Sequence, residues 1–231
     1  MKSAPKALQQ SWRDRLVNAV SPLESGVGGL TVLGYPPPGT ETLRPNRTAA
    51  VLIPLLECDE PEVVFTRRAD HLAHHPGQVS FPGGAAEAQD ASAVHTALRE
   101  ANEEIGLPID RATPIGFIDR FDTISDFRVL PVVALVEPPV IWRPDLSEVA
   151  EVFSVPISFV LDRSHYEFRE TVRDGVKYAI WSLQWEQHTI WGATAAMLLN
   201  LARRLERAAD GAETNPTFDQ QTEQGKTKNG A

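Results

Sequence analysis

The sequence contains a single cysteine, Cys58, and no apolar run long enough to span a membrane. A chain with one cysteine forms no internal disulfide, which fits a reducing cytoplasm. The segment Met1–Trp12 lacks the apolar core of a signal peptide, so we expect no targeting role for it. These absences predict a cytoplasmic protein that does not bind a membrane.

Basic residues are fewer than acidic ones: the sequence has 22 lysines and arginines and 31 aspartates and glutamates, which gives a net charge of −9. This balance argues against a general nucleic-acid binder. An anionic substrate is still compatible with it, because a bound metal ion can reverse the local field. The length of 231 residues is enough for one domain with a full hydrophobic core.

Composition divides the chain into three parts. The first, 1–46, combines an amphipathic helix predicted over Lys6–Val20 with a connector rich in glycine and proline over Gly26–Pro45. The central domain is predicted to span 47–207. The last part, 208–231, is polar and poor in apolar residues, so we expect a disordered tail.

The central domain mixes strand and helix patterns. A nearly continuous apolar run, Ala49–Leu56, is typical of a buried strand. Either Asp90 or Ser92 can cap a helix that runs to Ile105 and stops at Gly106. The other predicted strands are Glu62–Thr66, Gln78–Phe81, Ile115–Phe121, Arg128–Glu137, Tyr166–Thr171 and Val176–Trp185, and the other predicted helices are Ile157–Leu161 and Ile190–Leu205. This order predicts an α/β sandwich around a mixed sheet.

Three carboxylates in the central helix carry the most information about function. Glu100 and Glu104 stack one helical turn apart on the same face, and Glu103 flanks them. Like charges at that spacing repel and destabilise a bare helix. A hard divalent cation such as Mg²⁺ or Mn²⁺ is the natural compensation, because such ions prefer oxygen ligands.

The stretch Arg99–Leu107 resembles the second half of the signature of the Nudix hydrolase family, in which Arg-Glu and Glu-Glu pairs precede a glycine. The first half departs from that signature. Gly84 and Asp90 have the expected five residues between them, but Asp90 replaces a glutamate and eight residues, not seven, separate it from Arg99. The resemblance implies a Nudix-type α/β/α sandwich and metal-dependent cleavage of a pyrophosphate.

The departure is similar to one branch of the family, the coenzyme A pyrophosphatases. Thr66, Arg68, Gly77 and Phe81–Gly84 follow the spacing of the motif that precedes the signature in that branch, although Ala73 stands where the motif has arginine. The resemblance implies a small nucleotide substrate, coenzyme A or a derivative, cleaved to adenosine 3′,5′-bisphosphate and 4′-phosphopantetheine. The residues expected to bind it are Arg67, Arg68, His74, His75, Gly83 and Gly84.

The resemblance also implies roles for the acidic residues. Glu100 and Glu104 are the principal metal ligands, with Glu103 as a third ligand or the water-activating residue. Glu103 competes for water activation with Glu148 and Glu151, which are expected on a downstream loop. Two residues have structural roles, since Arg99 is expected to orient the carboxylates and Gly106 to end the helix.

Three other interpretations compete with this one. A zinc site at His71, His74 and His75 is disfavoured, because these residues lie in a polar loop without a cysteine partner. The same chemistry would serve ADP-ribose, a nucleoside diphosphate sugar or a dinucleotide. A catalytically silent Nudix-fold sensor is disfavoured by the intact carboxylates. The sequence leaves a homodimer open.

Overall fold

The protein is described by a computed structural model that covers residues 11–34, 47–123, 125–173 and 176–210. The N-terminal part of the predicted first helix, most of the predicted connector (35–46) and the predicted tail beyond Asp210 lie outside these residues. Within the described ranges, no helix is long and apolar enough to cross a membrane.

The described residues form four α-helices separated by groups of strands, the mixture of both types that the sequence pattern predicts. The helices are α1 Trp12–Ala19, α2 Ala93–Ile105, α3 Ile157–Leu161 and α4 Ala193–Ala209. The strands are β1 Val32–Gly34, β2 Arg47–Leu56, β3 Glu62–Arg68, β4 Val79–Ser80, β5 Gly83–Ala85, β6 Ala112–Phe117, β7 Arg120–Asp122, β8 Phe127–Val136, β9 Val149–Pro156, β10 Tyr166–Arg173, β11 Val176–Trp185 and β12 His188–Trp191.

The main sheet is mixed, which confirms the predicted fold class. Its strands follow the order β1-β7-β8-β2-β3-β4, with β5 also paired to β2, β6 to β8 and β9 to β3. The β2–β8 and β1–β7 pairs are parallel, and the other pairs are antiparallel. A second, antiparallel sheet contains β10, β11 and β12.

Both faces of the main sheet are buried, and β2 shows why its sequence is apolar almost throughout. Leu52 packs toward Ala97 and Ala101 of α2, whereas the next residue, Ile53, packs toward Leu16 of α1 and Leu198 of α4. Successive side chains of a strand point to opposite faces, so a strand covered on both sides needs apolar residues at every position. The result is an α/β/α sandwich in which α2 is the one α-helix of the described ranges on its side of the sheet.

A buried ionic network joins the helices on the other side. Arg204 of α4 is 2% exposed and donates to the Asp119 carboxylate (3.1 Å), to the Ala19 carbonyl (2.8 Å) and to the Ser21 hydroxyl (2.7 Å). Asp119 also accepts from the side chain of Asn200 at 2.9 Å. Because each polar group has a partner, the network fastens α1 and α4 to the link between β6 and β7.

Several predicted elements need correction. The single strand predicted over Ile115–Phe121 is divided into β6 and β7. Between them the chain bends so that Asp119 points into the core and bonds with Asn200 and Arg204. The last helix starts at Ala193, not Ile190, since Ile190 belongs to β12, and it continues to Ala209, beyond the predicted domain end at 207. The predicted connector contains β1, a strand too short for its periodicity to be recognised.

Candidate active site

Helix α2 carries the acidic residues, and its ends follow the predicted capping pattern. Of the two candidate caps, Ser92 is the one used, because its hydroxyl accepts from the backbone N–H of His95 at 3.2 Å. Gly106 ends the helix in the left-handed conformation with φ 66°, which glycine adopts at low cost. A Cβ at Gly106 would also lie 2.8 Å from the Cβ of Arg143, so the chain leaving α2 requires glycine.

Arg99 contacts three acidic residues of the site. Its guanidinium binds Asp90 at two points, with Nε 3.0 Å from Oδ1 and Nη2 3.0 Å from Oδ2. The same group lies 2.9 Å from Oε1 of Glu100 and 2.8 Å from Oε2 of Glu103. The Asp90 carboxyl also accepts from Thr96 and from the backbone of Glu87, and the Arg99 guanidinium holds its pKa well below the usual range. Asp90 is therefore a charged anchor for Arg99.

Glu100 is held close against the polypeptide backbone of β5. A Cβ at Gly84 would collide with both carboxylate oxygens of Glu100, so the glycine makes room for the carboxylate. Burial raises the pKa of Glu100, and the negative charges of Glu103 and Glu148 add to this, while Arg99 opposes it. Glu100 thus has an incompletely compensated negative charge.

Glu104 is the most deeply buried acid of the helix, with 5% of its surface exposed. Its Oε2 accepts from the backbone N–H of Gly83 at 3.1 Å. Burial raises its pKa to about 8, and the charges of Glu100 and Glu148 contribute, whereas the Gly83 bond and Arg68 lower it. A buried carboxyl with this environment favours either a proton or a cation.

The glycine pair upstream of the helix is part of a strand. Gly83 and Gly84 form β5 and pair with Val51 and Ala50 of β2. A Cβ at Gly83 would lie 2.5 Å from the Ala50 carbonyl oxygen. The pair therefore lets β5 lie close beside β2 while the Gly83 amide reaches Glu104 of α2.

The two downstream acids lie in different surroundings, and Glu151 is not on a loop as predicted. Glu151 belongs to β9, with its carboxylate 3.6 Å from Nε of Arg67 and 3.4 Å from Nε2 of His188. His188 stacks on Phe153, which packs with the core cluster on the side of the sheet away from α2. Glu148 is exposed in the turn before β9, and its charge acts on Glu100 and Glu104. Because the Asp145 N–H donates to the Glu104 carbonyl at 2.9 Å, the turn that carries Glu148 adjoins the acidic helix, whereas Glu151 does not.

The two adjacent arginines of β3 differ in the same way. Arg67 pairs with Asp70 at 2.7 Å and with Glu151, on the side away from α2. The charge of Arg68 acts on Glu104, and its Nε is buried without a hydrogen-bond partner among the described residues. Arg68 is thus the arginine beside the carboxylates that still has an unpaired donor.

The histidines of the loop between β3 and β4 do not converge. His74 and His75 are exposed, and their side chains make no hydrogen bond or ion pair seen among the described residues. His71 contacts the Ser147 carbonyl oxygen through Nε2 at 3.1 Å. The predictions that His74 and His75 bind substrate remain predictions.

The donors near α2 suit a hard cation, although their side chains are not arranged around one. Across the described ranges, no three histidine, cysteine, aspartate or glutamate side chains converge as a ready metal site. Arg99 holds Glu100 and Glu103, and the Gly83 amide holds Glu104. The available donors are carboxylate oxygens, the ligand type that Mg²⁺ and Mn²⁺ prefer, and the buried, under-compensated Glu104 fits a cation.

Comparison with known proteins decides the family. A model of the NUDIX domain matches residues 46–173, more than half of the chain. The chain belongs to the Nudix hydrolase family. Nudix hydrolase NudL of Enterobacter sp. (strain 638) is 41% identical over 161 residues, covering 69% of this chain and 83% of that protein. NudL of Salmonella newport (strain SL254) is 39% identical over 165 residues, covering 71% of this chain and 85% of that protein. A NUDIX hydrolase structure from Alicyclobacillus acidocaldarius is 20% identical, with a TM-score of 0.45, and covers 75% of this chain and 100% of its own.

As a Nudix hydrolase, the protein is an enzyme that cleaves a pyrophosphate in a nucleoside diphosphate derivative, and its relatives generally use divalent metal ions. For three residues of this Nudix site, the sequence did not predict the role that the structure gives them. Asp90 anchors Arg99, and Asp145 and Ser147 shape the turn that carries Glu148. The Asp-any-Ser pattern, which is typical of a side-chain-capped turn, was the available signal for the last two.

Proposed function

We propose that this Nudix hydrolase cleaves the pyrophosphate of coenzyme A or of an acyl or oxidised derivative. The products are adenosine 3′,5′-bisphosphate and 4′-phosphopantetheine. The observation that supports this most strongly is Arg68, which belongs to the branch-specific sequence motif and whose charge acts on the buried Glu104. A guanidinium at this place suits a phosphate oxygen of a polyanionic substrate.

Mg²⁺ or Mn²⁺ is proposed to be bound by the Glu100 and Glu104 carboxylates, with Glu103 as the third ligand. When bound, the cation neutralises charge on the pyrophosphate oxygens, which is the main requirement of phosphoryl-group hydrolysis. The role of Arg99 is to hold the Glu100 and Glu103 carboxylates at the helix surface. Gly83 fixes Glu104 through its backbone amide.

Glu148 is proposed to activate the attacking water. Its carboxylate accepts one proton while the water oxygen forms a bond to phosphorus, and the bridging phosphorus–oxygen bond breaks with the second phosphate as the leaving group. Glu148 suits this role because it is exposed and its charge reaches Glu100 and Glu104. Glu103 remains the alternative base, whereas Glu151 is occupied by Arg67 and His188.

The substrate is held by cationic and backbone groups. Arg68 contacts a phosphate oxygen, and the β5 backbone at Gly84 lets the pyrophosphate approach without obstruction by a Cβ. Arg67 has no free charge for the 3′-phosphate, because Asp70 neutralises it at 2.7 Å. His74 and His75, exposed in the adjacent loop, are the proposed contacts in place of the motif arginine absent at Ala73. The proposed location is the cytoplasm, which the single cysteine supports.

A substrate panel tests the proposal. Rates with Mg²⁺ and with Mn²⁺ are compared for coenzyme A, dephospho-coenzyme A, ADP-ribose, a nucleoside diphosphate sugar and a dinucleotide, with products identified by mass. We expect the highest kcat/KM for coenzyme A and release of 4′-phosphopantetheine. Equal or faster cleavage of ADP-ribose would exclude coenzyme A as the preferred substrate. No turnover of any member would favour the sensor.

A further inference from the structure

The turn before β9 is connected directly to the acidic helix. The backbone N–H of Asp145 donates to the Glu104 carbonyl at 2.9 Å. The first residue of the turn is therefore hydrogen-bonded to the residue whose carboxyl lies buried in the site. One step earlier, the N–H of Arg143 donates to the Ile105 carbonyl at 2.9 Å. These bonds satisfy carbonyls that the C-terminal turn of a helix leaves without partners. The segment is therefore fixed relative to α2.

The Asp145 side chain determines the shape of the turn. Its Oδ1 accepts from the Ser147 backbone N–H at 2.9 Å and from the Ser147 hydroxyl at 2.7 Å. Its carbonyl accepts from the N–H groups of Glu148 at 2.9 Å and Val149 at 2.8 Å. An aspartate that bonds its own backbone two residues later restricts such a turn to one conformation.

The loop between β3 and β4 supports the other side of the turn. His71 Nε2 lies 3.1 Å from the Ser147 carbonyl oxygen, and the Ala69 N–H donates to the Glu148 carbonyl at 2.8 Å. The peptide groups on both sides of the Glu148 Cα are thus hydrogen-bonded. Glu148 itself is exposed, so its side chain is not fixed by packing. These backbone hydrogen bonds therefore determine the position of its Cα and the direction in which its side chain leaves the backbone.

We propose that Asp145, Ser147 and His71 are positioning residues that hold the Glu148 carboxylate over Glu100 and Glu104. None of the three contacts the reacting atoms. They act by limiting the backbone freedom of Glu148, so that its carboxylate is placed for proton transfer before substrate binds. The inference rests on the proposed role of Glu148 but not on coenzyme A being the substrate.

A double-mutant cycle separates positioning from a general structural effect. Asp145→Ala is expected to lower kcat by about 10- to 100-fold with little change in KM, since a small misplacement of a catalytic group has that effect. In an enzyme that already carries Glu148→Gln, Asp145→Ala should change kcat less than about twofold, because coupled residues are not additive. Equal losses in both backgrounds would overturn the proposal.

Two further variants guard against misfolding and non-specific effects. Asp145→Asn keeps an oxygen that accepts from Ser147 and should retain most of the activity, and His71→Ala removes only an exposed donor, with an expected loss of about three- to tenfold. Asp162→Ala is the matched control, because Asp162 accepts from the Ser164 N–H at 2.8 Å in a similar turn outside the site. Loss of activity in this control equal to that of Asp145→Ala would contradict the proposal.

A readout independent of turnover completes the test. Amide hydrogen exchange at Glu148 and Val149 should be faster in Asp145→Ala, whereas exchange within α2 and the affinity for Mn²⁺ should not change. Unchanged exchange at these amides would overturn the proposal. The substrate proposal and the positioning proposal fail separately. Cleavage of ADP-ribose in preference to coenzyme A rejects the substrate but leaves the cycle measurable. A Glu148→Gln enzyme with full kcat rejects both the water-activating role of Glu148 and the positioning role, but leaves the substrate proposal standing.

Discussion

The Asp90 carboxylate and the Arg99 guanidinium form a two-point ion pair, with Oδ1 3.0 Å from Nε and Oδ2 3.0 Å from Nη2. The Asp90 side chain is 2% exposed and that of Arg99 is 14% exposed. Asp90, which departs from the family signature in residue type and in spacing, is therefore buried and ion-paired. It fixes the guanidinium that in turn holds Glu100 and Glu103.

Replacing this guanidinium with a point charge should disorganise the carboxylates. Arg99→Lys cannot bind Asp90 at two points while reaching Glu100 and Glu103, so we expect kcat to fall by about 10- to 100-fold. The matched control is Arg128→Lys, because Arg128 makes a similar two-point pair with Asp122 at 2.8 and 2.7 Å away from α2. Equal losses in the two variants would show that the effect is not local to the site.

Glu104 should be essential for metal-dependent catalysis. Glu104→Gln removes the charge but keeps the size and an oxygen that accepts from Gly83. We expect a rate loss on the order of 10²–10⁴-fold and weaker Mn²⁺ binding in a titration. Glu137→Gln, with a side chain that is 72% exposed, is the control and should behave as wild type. Full activity of Glu104→Gln with added Mn²⁺ would place the catalytic centre elsewhere.

The raised pKa of Glu104 predicts the pH dependence of the metal-free protein. Burial raises this pKa from 4.5 to about 8, so the folded state binds the proton more tightly than the unfolded state does. The resulting stabilisation is complete below pH 4.5 and is lost as pH rises through about 8. We expect the Tm of metal-free wild type to fall over this window relative to Glu104→Gln.

Metal binding should show the opposite trend. A cation competes with the Glu104 proton, so Mn²⁺ affinity should rise by about tenfold per pH unit well below the pKa and level off above about 8. Calorimetric titrations at several pH values measure this. A pH-independent affinity would indicate that Glu104 is already ionised across the range or is not a ligand.

Gly84 should be required for activity more than for stability. In Gly84→Ala the new methyl group collides with the Glu100 carboxylate, the mobile end of a side chain, so the acid moves rather than the backbone. We expect kcat/KM to fall by about 10- to 100-fold with a small change in Tm. Gly28→Ala is the control, because no atom lies within 4 Å of a Cβ built there. A large drop in Tm without a loss of activity would contradict this interpretation.

The buried Arg204 network should be important for stability. Arg204→Met leaves the Asp119 carboxylate buried with one partner fewer, and breaking such a pair costs about 3–5 kcal/mol of unfolding free energy. Arg111→Met disrupts an exposed pair with Glu137 at 3.5 Å and should cost less than about 1 kcal/mol. Urea unfolding of both variants measures the difference. Similar midpoints would mean that the network is compensated elsewhere.

Local signals made the catalytic helix and the central strand predictable. The Ser92 cap, the Gly106 stop and the apolar run of β2 each act over a few residues, and the structure has them where the pattern indicates. The strand β9 was missed because its alternation is interrupted beside a bulge, where Arg67 faces Glu151 but the next residue, Arg68, faces Val149. The strand β12 was not predicted because it has four residues and only Gly192 separates it from α4, so its apolar residues merge with the helical pattern.

The sequence by itself determined that this chain is a Nudix hydrolase with an acidic helix, because three carboxylates at helical spacing share a face wherever that helix packs. Only the tertiary structure decided which distant groups join that face. The bulge in β3–β9 pairing leaves Arg68 near Glu104 while Arg67 and Glu151 pair on the other side of the sheet. The turn at Asp145 brings Glu148 to α2 through backbone hydrogen bonds, which side-chain patterns do not encode.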